Sequence, residues 1–131
     1  MKIVIVGGVA GGATTAARLR RLDEQAEIVV FERSGFISYA NCGLPYYIGD
    51  VITDSDQLTL QTPESFHSRF RVSMKVHHEV TALYPEKHMV SVKNLETGEE
   101  FQETYDKLIL SPGAKPTQPK LPGTNIDKLF T

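Results

Sequence analysis

The chain of 131 residues carries a single cysteine, Cys42. One thiol closes no internal disulfide, so Cys42 is either a small buried hydrophobe or a reactive group. Long apolar runs are also missing: Ile3 to Val6 is far too short for a secretory leader, and nothing approaches the roughly 18 residues that a membrane span needs. A cytoplasmic protein with no membrane partner is expected. Positive charge is not in excess, with 14 basic against 16 acidic residues and a net charge of -2. No global field exists for nucleic acid or an anionic surface, and any anion site has to be local. The four histidines, His67, His77, His78 and His88, have no ligand-spaced partners, and adjacent His77 and His78 point apart on an extended segment. No metal site is expected. There is no internal repeat and no low-complexity tract, and 40% hydrophobic with 23% charged residues suits one globular domain.

What is present is concentrated in the first 33 residues. Ile3, Val4, Ile5 and Val6 form a continuous β-branched run, which reads as a strand buried on both faces at the centre of a parallel sheet. Gly7, Gly8, Gly11 and Gly12 follow at once, and Ala13 to Leu22 then reads as helix without a breaker. In a dinucleotide cradle the glycines serve a tight turn, close approach to a pyrophosphate, and packing of helix on strand. Those three places fall on Gly7, Val9 and Gly12, so the middle one carries a side chain. The helix start at Gly11 and Gly12 still offers N–H groups and a positive dipole end to phosphate. A second apolar run, Glu27 to Phe31, ends in Glu32, twenty residues after Gly12, where an acid takes hydrogen bonds from a ribose. A charged strand end is the plainer account of Glu32 alone; with the glycines in place, the ribose role is preferred.

Thr14, Arg18 and Arg21 are spaced by four and three residues and share a helix face. That face is either solvated or an anion clamp. Residues 34 to 50 read SGFISYANCGLPYYIGD, a long loop or short helix whose cysteine is flanked by Asn41 and Gly43 rather than by apolar wrapping. If Cys42 opens a short helix, the dipole favours its thiolate. Its setting after a nucleotide cradle favours the nucleophile.

Further on, Asp54 to Gln61 is expected as polar linker, and Thr62 and Pro63 as N-cap and first residue of a helix to about Arg69. Arg69 and Arg71 suit its negative end as well as they suit a substrate. Val72 to Val76 and Val80 to Tyr84 alternate as strands, and His88 to Lys93 with Glu99 to Thr104 form a hairpin around a glycine-containing turn. Lys107 to Leu110 reads as a further buried strand, broken by Ser111-Pro112-Gly113-Ala114, after which Pro116, Pro119 and Pro122 keep the chain extended. The fold class is therefore α/β: a Rossmann-like domain with a central parallel sheet and an added antiparallel hairpin over residues 1–115, then an extended linker over 116–131.

Three motifs stand together: IVGGVAGGATTAARLRRLDE ending in Glu32, ISYANCGLPYYIG around Cys42, and YDKLILSPGAKPTQPKLPG. Jointly they resemble the amino-terminal FAD-binding part of the single-cysteine pyridine nucleotide-disulfide oxidoreductases. The coenzyme A disulfide reductases look nearest, with NADH-dependent polysulfide reductases and NADH oxidases as siblings. The resemblance covers essentially the whole chain. It implies that Gly7, Gly8, Val9, Ala10, Gly11 and Gly12 hold the FAD pyrophosphate and Glu32 its ribose, that Arg33 also meets the cofactor, and that Val80, near the adenine, and Ser111, Pro112 and Gly113 line the same groove. Members of the group commonly lack the middle glycine. It further implies that Cys42 is the redox cysteine and that Thr14, Arg18, Arg21, Ser38 and Asn41 meet the substrate. A lysine that such enzymes use after the second helix is Phe70 here, with Arg69 and Arg71 beside it. The chemistry implied is reduction by NADH or NADPH, bound by a domain outside these residues, of coenzyme A disulfide or a related disulfide or polysulfide through a mixed disulfide at Cys42. A sibling alternative cycles Cys42 through sulfenic acid as an oxidase or peroxidase, and a non-catalytic nucleotide-binding module is the third reading. The family also implies a homodimer.

Overall fold

The computed structural model describes residues 1–117 and 121–123. Strand β1 (Lys2–Val6) leads through the glycine turn into helix α1 (Ala10–Leu22), and β2 (Glu27–Phe31) follows. A 3₁₀ turn at Asn41–Gly43 and the short helix α2 (Leu44–Ile48) occupy the cysteine segment; a second 3₁₀ turn spans Ser55–Leu58. Helix α3 (Pro63–Phe70) precedes β3 (Ser73–Lys75), β4 (His78–Tyr84), β5 (Met89–Asn94), β6 (Glu100–Thr104) and β7 (Lys107–Leu110).

Strands β3, β2, β1 and β7 form a parallel sheet in that order, with Val4 paired to Val29 on one side and Leu108 on the other. The expected hairpin is present as β5 and β6, and β4 joins it to make a three-stranded antiparallel sheet. The strict side alternation of strands explains the layers. Ile3 and Ile5 of β1, with Ile28 and Val30 of β2, point to a cluster with Ala13 and Ala16 of α1 and Phe66 of α3. Val4, Val29 and Phe31 point the other way, onto Val90 and Val92 of β5. The parallel sheet is thus covered on both faces, by helices on one and by the antiparallel sheet on the other. Each buried aliphatic side chain contributes about 1.5–3 kcal/mol, so these two clusters fix β1 at the centre.

Three expectations need correction. Helix α1 begins at Ala10 rather than Ala13, because Gly11 and Gly12 lie in its first turn, where the Ser111 segment and the end of β1 pack against them. The stretch 54–61 is not simple linker: Asp54 caps the Ser55–Leu58 turn by accepting from the Asp56 amide at 2.9 Å, and Leu58 is fully buried. Strand β7 is only partly buried, since it is the edge of the parallel sheet among the described residues and Leu110 is exposed. The expected linker, including Pro119, falls largely on residues outside those described.

Helix α3 starts as its sequence dictates. Thr62 Oγ1 accepts from the Ser65 amide at 3.2 Å, Ser65 Oγ accepts from the Thr62 amide at 2.9 Å, and Pro63 fills the first position, where no amide is needed. Its far end is closed by Arg20, a residue the sequence did not flag. The Arg20 side chain is buried and donates from Nε to the Phe70 carbonyl at 2.8 Å and from Nη2 to the Arg71 carbonyl at 2.9 Å. Nη1 donates to the Asp23 and Glu24 carbonyls, so one guanidinium ties α1, the turn after it and the end of α3 together.

Candidate functional site

The glycine turn lies between two cavities. Gly7 has φ +94°, and a Cβ there would strike the Ser111 carbonyl, while a Cβ on Gly12 would strike the Gly7 carbonyl. Strand end, helix start and the Ser111 segment therefore approach one another more closely than any side chain allows. Val9 has φ -87° as the N-cap of α1 and needs no glycine. No side chain caps this helix and no acid stands in its first turn. The first amides of a helix have no intrahelical acceptor, so the Ala10, Gly11 and Gly12 end suits a phosphate group.

The first cavity, about 370 Å³, is lined by Gly7, Glu32, Arg33, Val80, Pro112 and Gly113 among the expected residues. Glu32 is buried and holds the turn directly: Oε2 accepts from the Gly8 amide at 2.7 Å and Oε1 from the Ser34 amide at 2.8 Å. Each carboxylate oxygen keeps a second lone pair for a hydroxyl donor. Arg33 is exposed at the rim, 4.0 Å from Glu79. Ser111 does not line the cavity; it packs against Gly7 and Gly11 and donates its amide to the Val6 carbonyl at 2.8 Å. Phe31, His78, Glu79 and Lys115 also line it and were not anticipated. Their only sequence signal is proximity to Glu32, Val80 and the break at Ser111-Pro112-Gly113.

The second cavity, about 690 Å³, brings together Thr14, Ser38, Asn41 and Cys42, residues that the chain separates by up to 28 positions. Ala10 opens onto this side rather than onto the first cavity. Arg18 and Arg21 are exposed on the same helix face but do not line it, because they stand about 6 and 10 Å further along the axis than Thr14. Leu60, Gln61, Phe66, Arg69 and Phe70 complete the wall. Of these the sequence singles out Arg69 as a possible contact and Phe70 as the place of a lysine in similar enzymes; Leu60, Gln61 and Phe66 carry no signal that points to a site.

Cys42 is exposed and sits in the Asn41–Gly43 turn, ahead of α2 rather than at its first position. The turn is tied down on two sides. The Ala40 amide donates to the Leu58 carbonyl at 2.8 Å, and Gly43 presses on Leu58 so closely that a Cβ would come within 2.6 Å of its Cδ2. The Ser38 amide donates to the Gly8 carbonyl at 3.0 Å. Gly8 thus accepts from the cysteine segment and donates to Glu32, which couples the thiol's position to the cradle through one residue. Among the described residues no group of three metal-ligating side chains gathers, and no helix is long and apolar enough to cross a membrane.

A parallel sheet with an uncapped helix after its first strand, a buried acid after the second strand, and an exposed cysteine segment hydrogen-bonded to the same glycine turn has the form of a Rossmann-like dinucleotide-binding fold. The family model for pyridine nucleotide-disulphide oxidoreductases matches residues 1–131. The chain belongs to that family, whose members are FAD-dependent and use NADH or NADPH. It is 52% identical over 113 residues to a coenzyme A disulfide reductase of Staphylococcus aureus (strain MRSA252), an alignment covering 86% of this chain and 26% of that protein. The chain therefore spans about a quarter of the length of the curated relatives it matches. The reduced CoADR-RHD of Bacillus anthracis superposes with a TM-score of 0.89 at 55% identity, over 93% of this chain and 22% of the other. A water-forming NADH oxidase from Lactobacillus brevis, solved with NADH bound, superposes with a TM-score of 0.87 at 31% identity, over 97% and 28%.

Proposed function

We propose that this chain is the FAD-binding, thiol-bearing part of an enzyme that uses NADH or NADPH to reduce coenzyme A disulfide, or a related disulfide or polysulfide, through Cys42. The observation that carries this reading is the exposed Cys42 in a 690 Å³ cavity, on a segment hydrogen-bonded to the cradle peptide Gly8. FAD, when bound, supplies a two-electron relay between nicotinamide and thiol. On this reading the amides of Ala10, Gly11 and Gly12 receive the pyrophosphate, with Val9 turning the chain into the helix. Glu32 accepts from the ribose hydroxyls, Arg33 stands at the rim, and Val80, Pro112 and Gly113 flank the adenosine, with Ser111 bracing Gly7 and Gly11. In the other cavity Cys42 Sγ, as thiolate, attacks one sulfur of the substrate. A bond forms between Sγ and that sulfur, the substrate S–S bond breaks, and the departing thiolate takes a proton from solvent. Thr14, Ser38 and Asn41 orient the bound half, and Arg18 and Arg21 await the part of a long anionic substrate that extends beyond the cavity.

The enzyme on this reading is a cytoplasmic homodimer, with residues 116–131 leading to the nicotinamide-binding domain. A second reading, favoured by the likeness to the oxidase, cycles Cys42 through sulfenic acid. Mass spectrometry of the protein as isolated separates them. Added mass at Cys42 equal to coenzyme A supports the first reading and an oxygen adduct the second. Cys42→Ser is expected to lower anaerobic disulfide reduction roughly a thousandfold or more. Full activity in that variant, with an unmodified and alkylation-resistant thiol in the parent, rejects both.

A further inference from the structure

The loop from β2 to the cysteine turn hangs from Glu32 at two points. Oε1 accepts from the Ser34 amide at 2.8 Å, where the loop begins, and Oε2 accepts from the Gly8 amide at 2.7 Å. The Gly8 carbonyl in turn accepts from the Ser38 amide at 3.0 Å, four residues before the thiol. Between those points Ile37 is buried, and Gly8 is pressed between it and Glu32: a Cβ on Gly8 would lie 3.2 Å from the Ile37 Cγ2 and 3.0 Å from the Glu32 Cβ. Ser38 makes its bond with φ at +49°, in the left-handed region that glycine enters freely and a serine does not. Beyond it, the Ala40 amide bond to the Leu58 carbonyl and the bridge between Tyr39 and Thr59 tie the chain to the Ser55–Leu58 turn and the residue after it. Ser38 is therefore a strained joint between a part of the loop fixed to the cradle and a part fixed elsewhere.

We infer that Glu32 is a positioning residue for Cys42 as well as a nucleotide contact: a nucleotide in the first cavity holds the carboxylate in place and thereby keeps the thiol loop latched at Ser38. In the latched form Ser38 is left-handed and bonded to Gly8; in the released form its backbone relaxes and its amide turns to water. Ribose hydroxyls reach the remaining lone pairs of Glu32 only while the carboxylate stays at the turn, so they favour the latched form by a contact that the released form lacks. The two cavities then share one coupling free energy, and the effect runs both ways. The inference rests on the reading that the first cavity takes the nucleotide and that Cys42 exchanges with a disulfide, and it adds that cofactor loading sets the thiol. A thiolate that meets a disulfide with no flavin beside it forms the mixed disulfide and has no electrons with which to release it. A loop latched only when the nucleotide is seated limits that dead end.

The test compares two ligands at saturation in the flavin-free protein: ADP, and dideoxy-ADP, which has the same base and phosphates but lacks both ribose hydroxyls. Hydrogen exchange at the residue 38 amide, corrected for the intrinsic rate of each variant, reads the latch, and calorimetry reads affinity. ADP is expected to slow that exchange by roughly fivefold or more, the low end of couplings between sites, and dideoxy-ADP to leave it within about twofold of the free protein. Ser38→Gly removes the strain and keeps the amide. It should exchange slowly with no ligand, slow by less than about twofold on adding ADP, and bind ADP more tightly than the parent. Ser38→Ala keeps the strain and removes only the hydroxyl, so it should respond to ADP as the parent does. Equal protection by the two ligands, or an ADP effect as large in Ser38→Gly as in Ser38→Ala, overturns the role of Glu32 in setting the thiol loop and leaves the proposed function standing. If ADP binds Glu32→Gln as tightly as the parent, and the parent no better than dideoxy-ADP does, the nucleotide is not held at Glu32, and the proposed function fails together with this inference.

Discussion

The two cavities flanking the start of α1 are built from different materials. The turn beside the first cavity is fixed by backbone: Gly7 and Gly12 meet carbonyls at distances that exclude a side chain, and Glu32 locks the turn by accepting from two amides. The thiol cavity is made of side chains from α1, the cysteine loop and α3, and residues at its mouth such as Thr14, Asn41 and Arg69 are exposed. Backbone construction fixes one ligand shape and tolerates little change; side-chain construction leaves room for substrates to differ.

The sharpest way to break that contrast is to place alanine at one position on each side. In Gly12→Ala the new Cβ meets the Gly7 carbonyl, so α1 has to move off the strand end. The expected cost is about 3 kcal/mol, by analogy with overpacked cores, seen as a midpoint of thermal unfolding lowered by roughly 10 °C and as loss of retained flavin. Thr14→Ala, two positions on and exposed, should change stability by no more than about 0.5 kcal/mol and leave flavin retention intact. Equal losses in the two variants would show that the cavities do not differ in the way described.

Glu32→Gln probes whether the two regions are nevertheless joined. The amide side chain keeps the volume, but its NH2 group faces an amide donor where a carboxylate oxygen accepted one, at a cost of about 1.5–3 kcal/mol. Hydrogen exchange should quicken at the Gly8 and Ser34 amides, which bond Glu32, and also at Ser38, whose amide bonds the Gly8 carbonyl. Quickening at Gly8 and Ser34 with Ser38 unchanged would separate the thiol segment from the cradle.

The same division explains what could be read from the sequence. The β-branched run, the glycine cluster, the acid after β2, and Thr62 with Pro63 are local signals, and each expresses a backbone requirement of its own segment. The groove was legible for that reason. Arg20 was not, because its four carbonyl acceptors come from the end of α1 and the end of α3, some 50 residues apart. Leu58 was hidden inside a polar stretch, and its role under Gly43 and Ala40 exists only once that stretch folds back. Arg18 and Arg21 show a limit of another kind: spacing places them on Thr14's face, but spacing does not say where a cavity ends.

The smallest expected effect comes from the end of β1 away from both cavities, and it serves as their control. Lys2 Nζ lies 2.5 Å from Glu103 of β6 and 3.2 Å from Glu27 of β2, joining the two sheets at that end. The hydrogen bond to Glu103 is the main cause that raises the Lys2 ammonium above its ordinary value near 10.5, with Glu27 adding to it and burial opposing. A base whose affinity for its proton is higher folded than unfolded stabilises the fold while pH stays below the unfolded value, and that contribution disappears as pH rises through the folded one. Both side chains of the Lys2–Glu103 pair retain about a quarter of their exposure, so solvent screens it and its worth is at most about 1 kcal/mol. Lys2→Met should therefore be slightly less stable than the parent from neutral pH to about pH 10, with the difference closing above that, as read by urea unfolding across the series. Flavin retention and the alkylation rate of Cys42 should not change, since neither cavity touches Lys2. A change in either would mean that the glycine turn and the thiol segment respond to the far end of β1, and the two would then have to be treated as one cooperative unit rather than as two constructions sharing Gly8.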